Sequence, residues 1–140
     1  MAALTLAVER LAAATVLSCH GALVAASAMQ LETALSQALL RPELRIVVDL
    51  AAVATIDGTG VTMLRVTAGI AAEQGGSLVL AAPNAQVVHT LREGGTLSTI
   101  PTYRTVQAAL ADDATEQITE PDLAPPTTTW PMNRSDRRTA

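Results

Sequence analysis

The chain has 140 residues, 49% of them apolar and only 1% aromatic, with a formal net charge of −4. That suits one domain with a core of Ala, Leu, Val and Ile, and argues against nucleic acid or an anionic membrane surface as partner. All nine basic residues are arginines, which excludes Schiff-base lysines, a phosphate-loop lysine and the lysine that receiver domains require.

The single cysteine, Cys19, forbids an internal disulfide and fits a reducing cytoplasm, the expected location. Leu11 to Leu17 followed by Ser18-Cys19 loosely resembles a lipoprotein cleavage site. Glu9 and Arg10 interrupt that apolar stretch and no basic residue precedes them, so a strand is the better reading. No run reaches the ~20 apolar residues of a membrane span, so no membrane is expected as partner.

In chain order, Leu4 to Val8 alternates with a period of two and predicts an edge strand, with Ala14 to Ser18 as its partner and Gly21 as punctuation. Ala25 to Leu40 carries Met29, Leu31, Leu35 and Leu39 among polar residues and predicts an amphipathic helix, stopped by Arg41-Pro42. Ile46 to Leu50 is β-branched and uncharged until Asp49, as a buried central strand should be. Val53 to Ile56 reads as a short second extended piece.

Asp57-Gly58-Thr59-Gly60 then makes a tight turn into a helix with Val61, Leu64, Ala68 and Ala71 on one face, closed by Gly75-Gly76. Ser77 to Ala81 is a further buried strand. Pro83-Asn84 opens a helix with Val87, Val88 and Leu91 inward, ended by Gly94-Gly95. Ser98 to Pro101 predicts a last edge strand, and Thr105 caps a final helix through Leu110. The predicted class is α/β: a small mixed sheet of 4–5 strands, opening antiparallel and then mostly parallel. The domain is bounded at 1–113; residues 114–140, rich in Thr, Pro and Arg, are expected to be a disordered tail. Its Arg134, Arg137 and Arg138 read as a solvated end.

The turn places one hydroxyl, Thr59, at a helix start beside the carboxylate of Asp57. Two readings stay open for it, an ordinary N-cap or a modified hydroxyl. Asp57 is read as fixing the turn through backbone hydrogen bonds. Asp49 is read as a turn acceptor before a catalytic carboxylate. Cys19 and His20 are adjacent and would face opposite ways on a strand, and no Cys or His spacing matches a metal site. No cofactor, metal or catalytic residue is therefore assigned, and the chain is expected not to be an enzyme.

Val47-Val48-Asp49-Leu50, Ile56-Asp57-Gly58-Thr59-Gly60, Gly75 to Leu80 and Thr105 to Leu110 at these spacings resemble the STAS family, the sulfate transporter and anti-sigma factor antagonist domain. The resemblance spans roughly residues 4 to 112. It implies a small sheet with about four helices packed mainly on one face. It also implies a bacterial regulator of transcription that captures an anti-sigma factor acting as a serine/threonine kinase, and releases it when Thr59 is phosphorylated. A phosphatase would reset Thr59. The partner-binding set this implies is Asp57, Gly58, Thr59, Gly60, Val61, Thr62, Arg65 and Val24. Two positions depart from the family pattern: Gly58 stands where a hydroxyl is usual, and Ala22-Leu23-Val24 where an acidic residue is common. The alternatives are a STAS scaffold that docks without phosphorylation, or a small nucleotide- or metabolite-binding sensor on the same fold.

Overall fold

The computed structural model describes residues 4–40 and 45–119. Five strands form one sheet in the order β1-β2-β3-β4-β5: β1 (Leu4–Arg10), β2 (Ala14–Leu23), β3 (Arg45–Ile56), β4 (Ser77–Ala81) and β5 (Thr102–Tyr103). β1 and β2 form an antiparallel hairpin; every later pairing is parallel. The helices are α1 (Ala28–Ala38), α2 (Gly58–Glu73), α3 (Ala85–Glu93) and α4 (Val106–Ala111). This is the mixed α/β, antiparallel-then-parallel architecture that the sequence predicts.

Alternation along the strands divides the apolar residues between two faces. Leu17, Cys19 and Leu23 of β2, Ile46, Val48 and Leu50 of β3, and Leu78 and Leu80 of β4 share the larger core. Against it pack Leu31 and Leu35 of α1, Val61 and Leu64 of α2, and Val87 and Leu91 of α3. Val16, Val47, Val79 and Tyr103 point the other way and are covered by Ala108 and Ala109 of α4. Ile46, Val47 and Val48 are all fully buried because β3 is covered on both faces.

Several elements differ from expectation. β3 is one strand of 12 residues rather than two pieces. It carries an extra residue twice relative to β2, between the Ser18 and His20 pairs and again between Gly21 and Ala22. Asp49 sits at the first shift, where its Oδ1 accepts the Ala51 N–H at 3.0 Å; a bulge leaves such a donor unpaired. Gly21 lies inside β2 rather than after it, with φ of 116° at the second shift. Residues Ala25–Ser27 form a 3-10 turn before α1. Met29 is 81% exposed because the buried stripe of α1 runs through Leu31, Ala34, Leu35 and Ala38. The Arg41-Pro42 stop lies outside the described residues.

The last strand is Thr102–Tyr103, not Ser98 to Pro101. Thr96–Ser98 is a 3-10 turn, and Ile100 is a fully buried core residue whose apolarity mimics a strand signal. Pro101 offers only its carbonyl, to Leu80 N–H at 2.9 Å, so pairing starts after it. Beyond residue 113 the chain stays in the fold: Ala114–Glu116 make a 3-10 turn, Ile118 is buried, and its N–H donates to Thr102 O. The expected boundary at 113 therefore falls six residues short of Thr119, the last described position. Residues 120–140 of the expected tail lie outside the described residues.

α2 ends as the Gly pair predicts. Gly75, at φ of 88°, lets its own N–H reach Ala72 O and the Gly76 N–H reach Ala71 O, closing the helix in a Schellman motif. α4 is fastened by Asp112, whose Oδ1 accepts the Tyr103 hydroxyl at 2.6 Å and lies 3.6 Å from the Arg45 guanidinium. Burial first, then the Asp112 hydrogen bond, raises the Tyr103 phenol above its ordinary value.

Among the described residues, two buried hydroxyls, Thr15 Oγ1 and Thr96 Oγ1, have no hydrogen-bond partner. A buried unpaired hydroxyl costs its full desolvation, whereas an apolar group of the same shape does not. Thr15→Val is therefore expected to raise unfolding stability by about 1 kcal/mol, read as a higher denaturation midpoint at unchanged slope. A lower midpoint would mean that the hydroxyl has a use.

Candidate functional site

The C-terminal end of β3 delivers Asp57 to the start of α2. Asp57 is extended, with φ of −115°, and is the helix N-cap: its Oδ1 accepts the Gly60 N–H at 3.0 Å. Its main chain is also held, since Asp57 N–H donates to Leu23 O at 3.1 Å and Asp57 O accepts Val61 N–H at 3.0 Å. The second carboxylate oxygen, Oδ2, accepts the Ala25 N–H at 3.2 Å. One carboxylate thus ties the start of α2 to the loop that follows β2, as its expected turn-fixing part requires and with a tertiary contact added.

Gly60 explains why the turn can sit there. A Cβ at Gly60 would lie 2.4 Å from Leu23 O and 2.9 Å from Ile56 Cγ1. At Gly58 the same atom would meet nothing within 4 Å. Only the second glycine is demanded by packing, at the close approach of α2 to the end of β2.

Thr59 is not the N-cap; Asp57 takes that position because its carboxylate reaches the N–H three residues on. Thr59 is the second residue of α2 and is exposed, and its hydroxyl has no hydrogen bond among the described residues. Gly58, Thr62 and Arg65 are also exposed, on the outer side of the same helix. Val24 is half-buried at the head of the loop tied by Asp57, its N–H donating to Ser27 Oγ at 3.1 Å. Gly60 and Val61 are buried, Val61 within the main core, and present no side chain to a partner. Of the expected contact set, Gly58, Thr59, Thr62 and Arg65 are thus exposed, and Val24 and Asp57 are half-buried beside them.

Sequence periodicity did not single out what continues this surface. Met63, Val66 and Ile70 of α2 face Leu35 and Leu39 of α1 across a groove of about 220 Å³. Val66 is 57% exposed. The signal was present: these residues fall outside the Val61, Leu64 and Ala71 stripe that the core uses.

Asp57→Ala is expected to cost about 1–2 kcal/mol, the usual value of an N-cap. The informative readout is hydrogen exchange. The Ala25 and Gly60 amides should lose protection together, whereas a carboxylate that served only the helix would leave Ala25 unchanged.

Cys19 is buried and His20 exposed, on opposite faces of β2. Burial, with a smaller contribution from the Asp49 charge, pushes the Cys19 thiol up to about 12. The neutral thiol is no nucleophile at pH 7, and Cys19 is expected to resist thiol reagents until the chain unfolds. The raised value also fixes a sign. Stability from this group is intact below about pH 9, the ordinary value, and falls as pH rises toward about 12. Wild type should lose up to about 1.4 kcal/mol per pH unit there relative to Cys19→Ala. Parallel pH profiles of the two proteins would contradict this.

Among the described residues no group of His, Cys, Asp and Glu could hold a metal ion, and no helix is long and apolar enough to cross a membrane.

A sheet of this order, entered by an antiparallel hairpin and carrying an Asp-capped turn at the end of its central strand, defines a known domain class. The sequence model of the STAS domain matches residues 5–109, and the chain belongs to that family. Among solved structures, an anti-sigma factor antagonist from Mycobacterium paratuberculosis is 25% identical, with a TM-score of 0.71 over 79% of this chain and 93% of that one. A STAS domain protein from Planctomyces limnophilus is 22% identical, with a TM-score of 0.67 over 78% of this chain and 97% of that one. The anti-sigma factor antagonist SpoIIAA in its unphosphorylated form is 16% identical, with a TM-score of 0.65 over 79% and 97%. Comparison with curated proteins found no match.

Proposed function

We propose that the chain is an anti-sigma factor antagonist-like binding module, without catalysis of its own, that docks an anti-sigma factor kinase through the start of α2 and is released by phosphorylation at Thr59. The observation that carries this reading is the state of the Thr59 hydroxyl: exposed, and free of hydrogen bonds among the described residues. An N-cap hydroxyl would be consumed by the helix; here Asp57 does that work and leaves Thr59 available. The likeness to antagonists of known structure supports the partner class.

In the reaction a kinase would transfer the γ-phosphoryl group of ATP to Thr59 Oγ1. The O–P bond forms as the bond to ADP breaks, and the hydroxyl proton passes to a base of the kinase. The product carries about −1.5 to −2 charge at pH 7. The helix N-terminus favours an anion, but the Asp57 carboxylate already occupies the Gly60 N–H. The added charge therefore faces outward, into the docking surface. A phosphatase would restore the hydroxyl.

The test is incubation with candidate anti-sigma kinases and ATP, followed by intact mass and site mapping, with Thr59→Ala as control. One added phosphate at Thr59, absent from the control and accompanied by loss of the complex, is expected. A second reading, a scaffold that docks without phosphorylation, is favoured by the exposed Val66 groove and by Gly58 in place of a hydroxyl. Stable binding with no phosphate would select it.

A further inference from the structure

A second surface depression lies away from Thr59. It is an open crevice of about 490 Å³ lined by Pro83, Ala85, Val88, His89, Arg92, Arg104 and Ile118. Ala85, Val88, His89 and Arg92 fall along one side of α3, while Val87 and Leu91 on the other side fill the core. Arg104, directly after β5, and Ile118 complete the lining. The crevice thus sits beyond the carboxyl ends of β4 and β5, where open α/β sheets characteristically receive ligands. Its size falls within the range of about 300–1,000 Å³ typical of small-molecule sites.

We propose that this crevice is an anion-binding site, and that it takes a small organic carboxylate or phosphate ester carried on an apolar body. Arg92 from α3 and Arg104 from the end of β5 supply the positive charge, and Val88, Ile118 and Pro83 supply the apolar contact. Both arginines also have interactions elsewhere in the chain. Each has several donors in a planar fork, so a ligand oxygen joins the set rather than requiring an idle cation. His89 lies at the rim, where Nε2 is 3.2 Å from Glu93 Oε2, and that carboxylate is not part of the lining.

The site is also connected to the sheet. Asn84 caps α3 by accepting the Val87 N–H at 2.8 Å, and its Nδ2 donates to Val53 O of β3 at 2.9 Å. The helix that bears Arg92 is therefore anchored to the strand that leads to Asp57. Two sources could supply the anion: a free small molecule, or the carboxylates that follow Thr119 in the sequence, Glu120 and Asp122.

The test is an amide chemical-shift titration of the full chain with phenyl phosphate, and with phenol as the uncharged control. Saturable shifts confined to Ala85, His89, Arg92 and Arg104 are expected with phenyl phosphate and not with phenol. Arg104→Gln and Arg92→Gln should each weaken binding about tenfold or more, and Arg104→Lys should weaken it less. Unchanged spectra elsewhere show that the variants fold. Glu120→Gln combined with Asp122→Asn separates the sources. Tighter binding in that variant means that the chain's own carboxylates compete for the crevice; equal affinity leaves it to free ligands. Shifts that never saturate, that map to α2, or that persist undiminished in both arginine variants would overturn the proposal.

Discussion

Gly60→Ala should destabilise the protein by at least about 2 kcal/mol, while Gly58→Ala, two residues away, should be neutral or stabilising by up to about 1 kcal/mol. The contrast follows from what each new methyl group meets. At Gly60 it would stand 2.4 Å from a backbone carbonyl, Leu23 O, which cannot rotate away as a side chain can. Relief requires α2 to lift from the end of β2. That movement would strain the Asp57 N–H bond to Leu23 O, at 3.1 Å, and the Asp57 Oδ2 bond to Ala25 N–H, at 3.2 Å. Better helix propensity returns at most about 1 kcal/mol, so the clash decides the sign. At Gly58 no atom lies within 4 Å and the propensity gain stands alone. Denaturation midpoints of the two variants measure the difference. Equal losses would mean that the close approach at Gly60 is not tight in solution. Against a typical domain stability of about 5–15 kcal/mol, the Gly60 effect is large enough to weaken partner binding through partial unfolding. It therefore cannot serve as a docking variant.

What the sequence made legible was local. Thr105 and Asn84 announce the starts of α4 and α3 because a cap acts within three residues, and both accept the expected amide. The buried run of β3 shows through its composition alone. The turn was harder. Asp57 and Thr59 both satisfy the capping rule in sequence, and only the extended backbone at Asp57 separates them. Ala25 lies 32 residues from Asp57, so no window of sequence contains the bond that joins them. Ile100 and Ile118 misled in opposite directions. Ile100, just before Pro101, suggested a last edge strand where there is a core plug. The other, set among polar residues, gave no sign that the chain was still folded. Val61 carried two expectations, core stripe and docking surface; it is buried in the main core.

The second large effect is on binding rather than folding. If the chain docks an anti-sigma factor as proposed, Thr59→Glu, and phosphorylated Thr59 more strongly, should weaken that complex at least about 100-fold while leaving the unfolding midpoint within about 0.5 kcal/mol of wild type. A charge forced into an interface without an opposite charge to meet it costs several kcal/mol, since it loses its water. The substituted side chain in the free protein stays solvated at an exposed position, close to the positive end of α2. Asp57 strengthens the asymmetry. Its carboxylate holds the Gly60 and Ala25 amides, so the new anion cannot take Gly60 N–H without displacing it. Thr59→Ala should bind the partner with wild-type affinity but stay bound in the presence of ATP, because only the acceptor oxygen is missing. Thr62→Glu, one turn further along the same exposed side, tests the geometry of the surface. If docking extends over Thr62 and Arg65 toward the Val66 groove, it should weaken binding without any kinase. If Thr59→Glu and Thr62→Glu both leave affinity unchanged, the start of α2 is not the docking surface. If Thr62→Glu alone weakens it, the surface stands and the switch at Thr59 falls.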